Sequence, residues 1–142
     1  MKITGQWKGF YVYDETYGPA AKGKKAFFKI NFTYENGVLT GTVEDTHGFG
    51  IQTKRYGTVK GFIQKKFISF IKTYDKIYEL DENWNEIAVI NKSYNVQYTG
   101  TFNSVLQIFE GEWEIIESEE RVNNDQYKTY LFTGTWKMKQ AE

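Results

Sequence analysis

Tyr94-Asn95-Val96-Gln97-Tyr98-Thr99-Gly100-Thr101-Phe102 alternates without a break. Side chains two apart on a strand share a face, so Tyr94, Val96, Tyr98, Gly100 and Phe102 point one way and Asn95, Gln97, Thr99 and Thr101 the other. A tight turn at Asn103-Ser104 follows, and the next run sets Phe109, Gly111, Trp113 and Ile115 against Glu110, Glu112 and Glu114. One apolar face backed by one solvated face marks antiparallel strands around a core. In both runs a glycine stands two residues before a bulky side chain, and the pairing recurs at Gly5-Trp7, Gly41-Val43, Gly57-Val59 and Gly134-Trp136. Glycine weakens a strand and is tolerated where the sheet bends or another group comes close. A sheet that closes on itself needs both. The pattern predicts an all-β fold: an antiparallel up-and-down β-barrel of about eight strands, crowded with aromatic rings.

Outward from this pair, further runs follow with turn residues between them. Residues 3–13 place Ile3, Gly5, Trp7, Gly9, Tyr11 and Tyr13 on one face, and a Gly/Pro/Lys loop from Asp14 to Lys25 ends that run. Residues 26–34 gather Phe28, Ile30, Phe32 and Tyr34 and turn through Asn36-Gly37, a strong hairpin signal. Residues 38–45 align Leu39, Gly41, Val43 and Asp45, and Thr46 to Gly50 reads as a flexible link. Residues 56–63 align Gly57, Val59, Gly61 and Ile63, and Lys65-Lys66 turns into the run 67–74. The final run turns Tyr130, Phe132, Gly134, Trp136 and Met138 inward after an acidic loop near Glu117 to Asp125. Residues 75–93 stay ambiguous: Lys76 to Leu80 and Glu86 to Ile90 form an extra hairpin around Asp81-Glu82-Asn83, or they lengthen the flanking runs. Short links favour a meander, and closure removes the exposed edges of an open sheet.

The chain of 142 residues is read as one domain, 1–142. Eighteen basic and eighteen acidic residues cancel and are scattered, which argues against nucleic acid as a partner. With no cysteine there is no disulfide, thiol nucleophile or thiolate metal site. No stretch approaches the roughly 18 apolar residues of a membrane helix, and the start enters the first strand at once, so a cytoplasmic location and no membrane are expected.

The opening Ile3-Thr4-Gly5-Gln6-Trp7, the segment Gly37-Val38-Leu39-Thr40-Gly41-Thr42, the strand end Tyr98-Thr99-Gly100-Thr101-Phe102 and the final Gly134-Thr135-Trp136 resemble the avidin and streptavidin barrel, within the broader lipocalin-like calycin group, in order and approximate spacing. The resemblance implies a small-ligand barrel whose aromatic walls are Trp7, Tyr98 and Trp113. It does not carry the biotin site across. Gly9 stands where the biotin binders place an asparagine, Val43 where they place a tyrosine, Trp136 where their aspartate supports the ureido group, and Asp45 where a small hydroxyl residue is usual.

The inward set Trp7, Tyr11, Phe32, Tyr98, Trp113 and Trp136 either lines a pocket for a small hydrophobic or aromatic ligand or fills the barrel outright. In the first case Trp7, Tyr98, Trp113 and Trp136 are stacking walls, Tyr11 and Tyr94 hydrogen-bonding partners and Asp45 a polar anchor. In the second the protein is an oligomerisation or interaction module working through outer faces, where Phe10, Val12, Phe27 and Leu131 are apolar. Glu44-Asp45-Thr46-His47 groups two carboxylates with the only histidine. One imidazole does not make a transition-metal site, and alternation splits the carboxylates between faces. No phosphate loop, dinucleotide fingerprint or Gly-x-Ser-x-Gly occurs, so neither a cofactor nor an enzyme is indicated.

Overall fold

Alternation of apolar and polar residues decides which side of a barrel strand meets the core, and the computed structural model has ten strands among the described residues. They are β1 (Gly5–Tyr13), β2 (Lys25–Glu35), β3 (Val38–Gly48), β4 (Arg55–Gln64), β5 (Phe67–Tyr74), β6 (Ile77–Leu80), β7 (Glu86–Ile90), β8 (Tyr94–Asn103), β9 (Ile108–Asn123) and β10 (Gln126–Gln140). A 3₁₀ turn, Glu15–Tyr17, interrupts the connection after β1. The structure describes residues 2–91, 93–123 and 126–141, with the side chains of 116–130 excepted. Eight strands close into an antiparallel barrel in the order β1-β10-β9-β8-β5-β4-β3-β2, and β6 and β7 form a separate hairpin. The barrel shuts where β1 pairs with β10, from Trp7 opposite Gln140 to Tyr13 opposite Gly134. The extra-hairpin alternative for residues 75–93 is therefore the one realised.

Three expectations change. The link from Thr46 to Gly50 is strand through Gly48, and the pairing of β3 with β2 skips Thr46 between Asp45 and His47. That bulge turns His47 to the outer face, where its ring stacks on Phe27 with centroids 4.6 Å apart. Tyr34 stands 40% exposed rather than in the core, although its cross-strand partner Leu39 is fully buried. The expected acidic loop is mostly strand, since β9 runs to Asn123. Asp125, the side chains of Glu117, Glu119 and Glu120, and Tyr130 lie outside the described residues.

Successive barrel strands alternate direction, so the three short turns at 36–37, 65–66 and 104–107 all fall at one end. That end is packed solid. Trp7 donates its Nε1 to the Ile3 carbonyl at 2.8 Å and packs on Phe109, with Ile30, Leu39, Ile68 and Met138 fully buried around them. The glycine register explains how such rings fit. Trp113 on β9 lies across Gly134 on β10 and donates to the Val12 carbonyl on β1 at 3.2 Å. A Cβ at Gly134 would overlap both the indole and that carbonyl. Trp136 reaches the other way, donating to the carbonyls of Thr99 and Glu112, and a Cβ at Gly100 would stand 2.7 Å from its ring. Each of these two tryptophans thus reaches across a glycine-bearing strand to the carbonyl of the next strand but one, which ties three strands together.

Candidate functional site

The longer connections fall at the opposite end, and there the interior changes character. Polar residues enter the core: Asp45, Arg55 and Lys72 are 2%, 8% and 0% exposed. Burying an ionisable group is expensive unless partners receive it, so the partners define the site. Alternation along β5 turns Ile68, Phe70, Lys72 and Tyr74 inward, and the end of β3 turns Asp45 inward beside them. Tyr11 donates to Asp45 Oδ2 at 3.2 Å and Tyr74 to Oδ1 at 2.9 Å. Lys72 Nζ donates to the Tyr98 hydroxyl at 3.0 Å and sits over the Phe28 ring at 3.6 Å, with the rings of Tyr98 and Tyr11 at 4.1 and 5.2 Å.

Burial drives both ionisable groups toward their neutral forms. Desolvation pulls the Lys72 ammonium from the ordinary lysine value down to about 7, and the field of Asp45 only partly restores it. Desolvation likewise pushes the Asp45 carboxyl up, against the opposing pull of Lys72, Tyr74, Tyr11 and Arg55. The phenols of Tyr11, Tyr74 and Tyr98 are raised well above the usual tyrosine range, first by burial and then by Asp45. They therefore remain hydrogen-bond donors at neutral pH.

Above this floor lie two connected chambers. The deep one, about 80 Å³, is lined by Tyr11, Tyr74, Tyr94, Tyr98, Asp45, Val96 and Trp113, with Tyr13, Tyr17, Arg55 and Ile115 at its upper edge. The last four and Tyr94 also line an upper chamber of about 570 Å³, which lies beneath Ile77, Tyr78, Leu80 and Trp84 of the β6–β7 segment and spills over the rim onto Ile71, Asn95, Gln97 and Glu114. The larger space is farther from the buried charges. The fixed polar groups converge on the smaller one.

The β6–β7 hairpin is fastened over the mouth by two devices. Trp84, at φ 63° in the connecting turn, packs against Phe49, Tyr17 and Tyr13 at centroid separations of 4.8, 5.9 and 6.0 Å. The Glu86 carboxylate accepts from the Gln52 and Thr53 amides, both at 3.2 Å, from the Thr53 hydroxyl at 2.8 Å and from Arg55 Nη2 at 3.3 Å. Burial raises the Glu86 carboxyl, but these hydrogen bonds outweigh it and hold the group below its ordinary value. Arg55 also donates to the Gly50 carbonyl at 2.6 Å and lies over the Tyr78 ring at 4.2 Å. Its buried Nε has no partner among the described residues.

Of the residues singled out from the sequence, Tyr11, Asp45, Tyr94, Tyr98 and Trp113 surround the deep chamber. Trp7, Phe32 and Trp136 lie lower: Trp7 on Phe109, Phe32 on Phe70, and Trp136 against Phe70 and Tyr98. The sequence reading missed Lys72, Arg55, Tyr74, Tyr13, Tyr17 and Trp84. For Lys72 and Tyr74 the signal was present, since both continue the face of Ile68 and Phe70. Comparison with protein-family models, curated proteins and solved structures finds no match for the chain.

Proposed function

We propose that the protein binds a small, mainly apolar and planar molecule in the two chambers, with its flat body among Tyr13, Tyr17, Trp84 and Trp113 and a polar end directed at Asp45. The observation that carries this reading is the asymmetry of the interior: one half is dry and packed, while the other keeps open volume lined by phenols and a buried carboxylate. A barrel needing only stability would fill that volume with apolar side chains, because a buried ionisable group set among them contributes little stability of its own. The avidin-like lineage belongs to the same proposal. The meander order and the glycine–tryptophan register support it, and the departures at Gly9, Val43 and Trp136 argue for a ligand other than biotin.

The test is titration with N-phenyl-1-naphthylamine, a neutral aromatic probe that fluoresces in apolar surroundings. Saturable one-site binding with energy transfer from Trp84 and Trp113 is expected. Ile115→Trp, which fills the throat shared by both chambers, should weaken it by at least tenfold in a folded protein. Absence of saturable binding, together with a ligand-free mass for the purified protein by native mass spectrometry, would overturn the reading. A discrete oligomer in that spectrum would then direct attention to the outer faces, where Val38, Phe62 and Phe67 are exposed and the two phenyl rings touch at 6.0 Å.

A further inference from the structure

Simple ligand binding leaves one core group without a task. Lys72 is completely buried, yet its ammonium has a single hydrogen-bond acceptor among the described residues, the Tyr98 hydroxyl. It makes no direct ion pair with Asp45, whose oxygens are held by Tyr11 and Tyr74. Three ring faces attract an ammonium, but one phenol serves only one of its three donors and its desolvation is the larger cost. A neutral amine avoids that cost. Around the amine head stand the rings of Phe28, Tyr98 and Tyr11, and Asp45 acts on it through its charge. Tyr98, Tyr11 and Asp45 also line the deep chamber, whereas Lys72 does not, so capture by this amine requires the Tyr98 hydroxyl to move aside.

We infer that Lys72 is a carbonyl-capturing amine: the molecule held in the chambers carries an aldehyde or ketone, which Lys72 binds reversibly as an imine. This rests on the ligand-binding reading above and deepens it. In the step, the Lys72 lone pair attacks the carbonyl carbon and the C–O π pair moves to oxygen. Asp45, as the carboxylate, takes a proton from the nitrogen and passes it to that oxygen to give a carbinolamine. Asp45 then takes the remaining N–H proton and hands it to the departing hydroxyl, so that water leaves as the C=N bond forms. One amine and one carbonyl become one imine and one water, with no net proton change and no oxidant or reductant. Burial supports the first step: an amine near about 7 is largely neutral at physiological pH, whereas an ordinary lysine is roughly 0.1% neutral there. Desolvated lysines are the ones that serve as Schiff-base nucleophiles.

The experiment incubates the full chain with trans-cinnamaldehyde and sodium cyanoborohydride, which fixes any imine as a secondary amine, and maps the adduct by peptide mass spectrometry. Lys72 should be modified at least tenfold faster than any other lysine, with a rate–pH profile that bends near about 7. The titratable groups that face Lys72 are Asp45 from β3, Tyr11 from β1 and Tyr98 from β8, and the value is set by burial, which lowers it, and by Asp45, which raises it. Asp45→Asn removes the charge that holds the Lys72 value up, so the bend should move to lower pH. Lys72→Met should abolish the fast site. Mapping on the unaltered chain decides the matter even if that variant fails to fold. Labelling of surface lysines while Lys72 stays unmodified, or labelling of Lys72 only after unfolding in urea, would overturn the proposal. If N-phenyl-1-naphthylamine binds but Lys72 is not labelled, the imine fails and the ligand reading stands; if neither occurs, both fail.

Discussion

A lysine held largely neutral inside a folded barrel must leave a mark on stability as a function of pH. The unfolded chain keeps an ordinary lysine, protonated up to about 10.4. The folded chain releases that proton near about 7, because burial penalises the ammonium more than Asp45 supports it. Between those values the unfolded state holds more protons than the folded one, so stability climbs as pH rises, and below about 7 the gain is absent. The slope approaches about 1.36 kcal/mol per pH unit, which gives a gain of about 2–3 kcal/mol from roughly pH 7.5 to 9.5. Asp45 carries the opposite sign: its raised folded value makes stability fall as pH rises from the ordinary carboxyl range up to that value. The raised tyrosines act only above about pH 10. Urea denaturation at half-unit pH intervals, read by tryptophan fluorescence, measures the curve. Lys72→Met removes the lysine and should flatten the rise between roughly pH 7.5 and 9.5 while leaving the native fold intact. A flat curve in the unaltered protein, or an equal slope in the variant, would refute the assignment of a neutral Lys72.

Two further outcomes follow from the packing. Gly134→Ala places a methyl group inside the contact distance of both the Trp113 indole and the Val12 carbonyl, so it should cost about 2–3 kcal/mol, the upper range for overpacking; a loss under about 0.5 kcal/mol in urea denaturation would mean that β9 and β10 shift freely. Glu86→Ala removes the acceptor shared by Gln52, Thr53 and Arg55 and leaves a buried guanidinium short of a partner, so the β6–β7 hairpin should loosen by about 1–3 kcal/mol. Hydrogen exchange checks this: amides of Ile77–Leu80 and Glu86–Ile90 should lose protection while those of the barrel strands keep theirs, and unchanged exchange would show that the Glu86 carboxylate does not fasten the hairpin.

How far the sequence discloses such a molecule depends on whether each feature is local. Strand faces are local, so the inward runs of β1, β3, β8 and β9 follow directly from alternation, and the closure of the barrel follows from glycines placed for tryptophans that cross the next strand. The bulge at Thr46 is not local, because an extra residue in β3 has meaning only against its partner in β2, and it reverses where His47 points. Lys72 was obscured for a different reason. A lysine on a face is ordinarily taken to mark that face as solvated, yet Ile68, Phe70 and Tyr74 on either side all point to the core. Arg55 and Glu86 are 31 residues apart in sequence, and no short-range pattern could have joined them. One clue to the site was nonetheless in plain view. In a meander every second connection falls at the same end, and Asn36-Gly37, Lys65-Lys66 and the turn after Asn103 are every second connection. The connections at 14–24, 49–54 and 75–93 must therefore gather at the other end, where longer chain provides rim and cover and leaves the polar cluster within reach of the mouth.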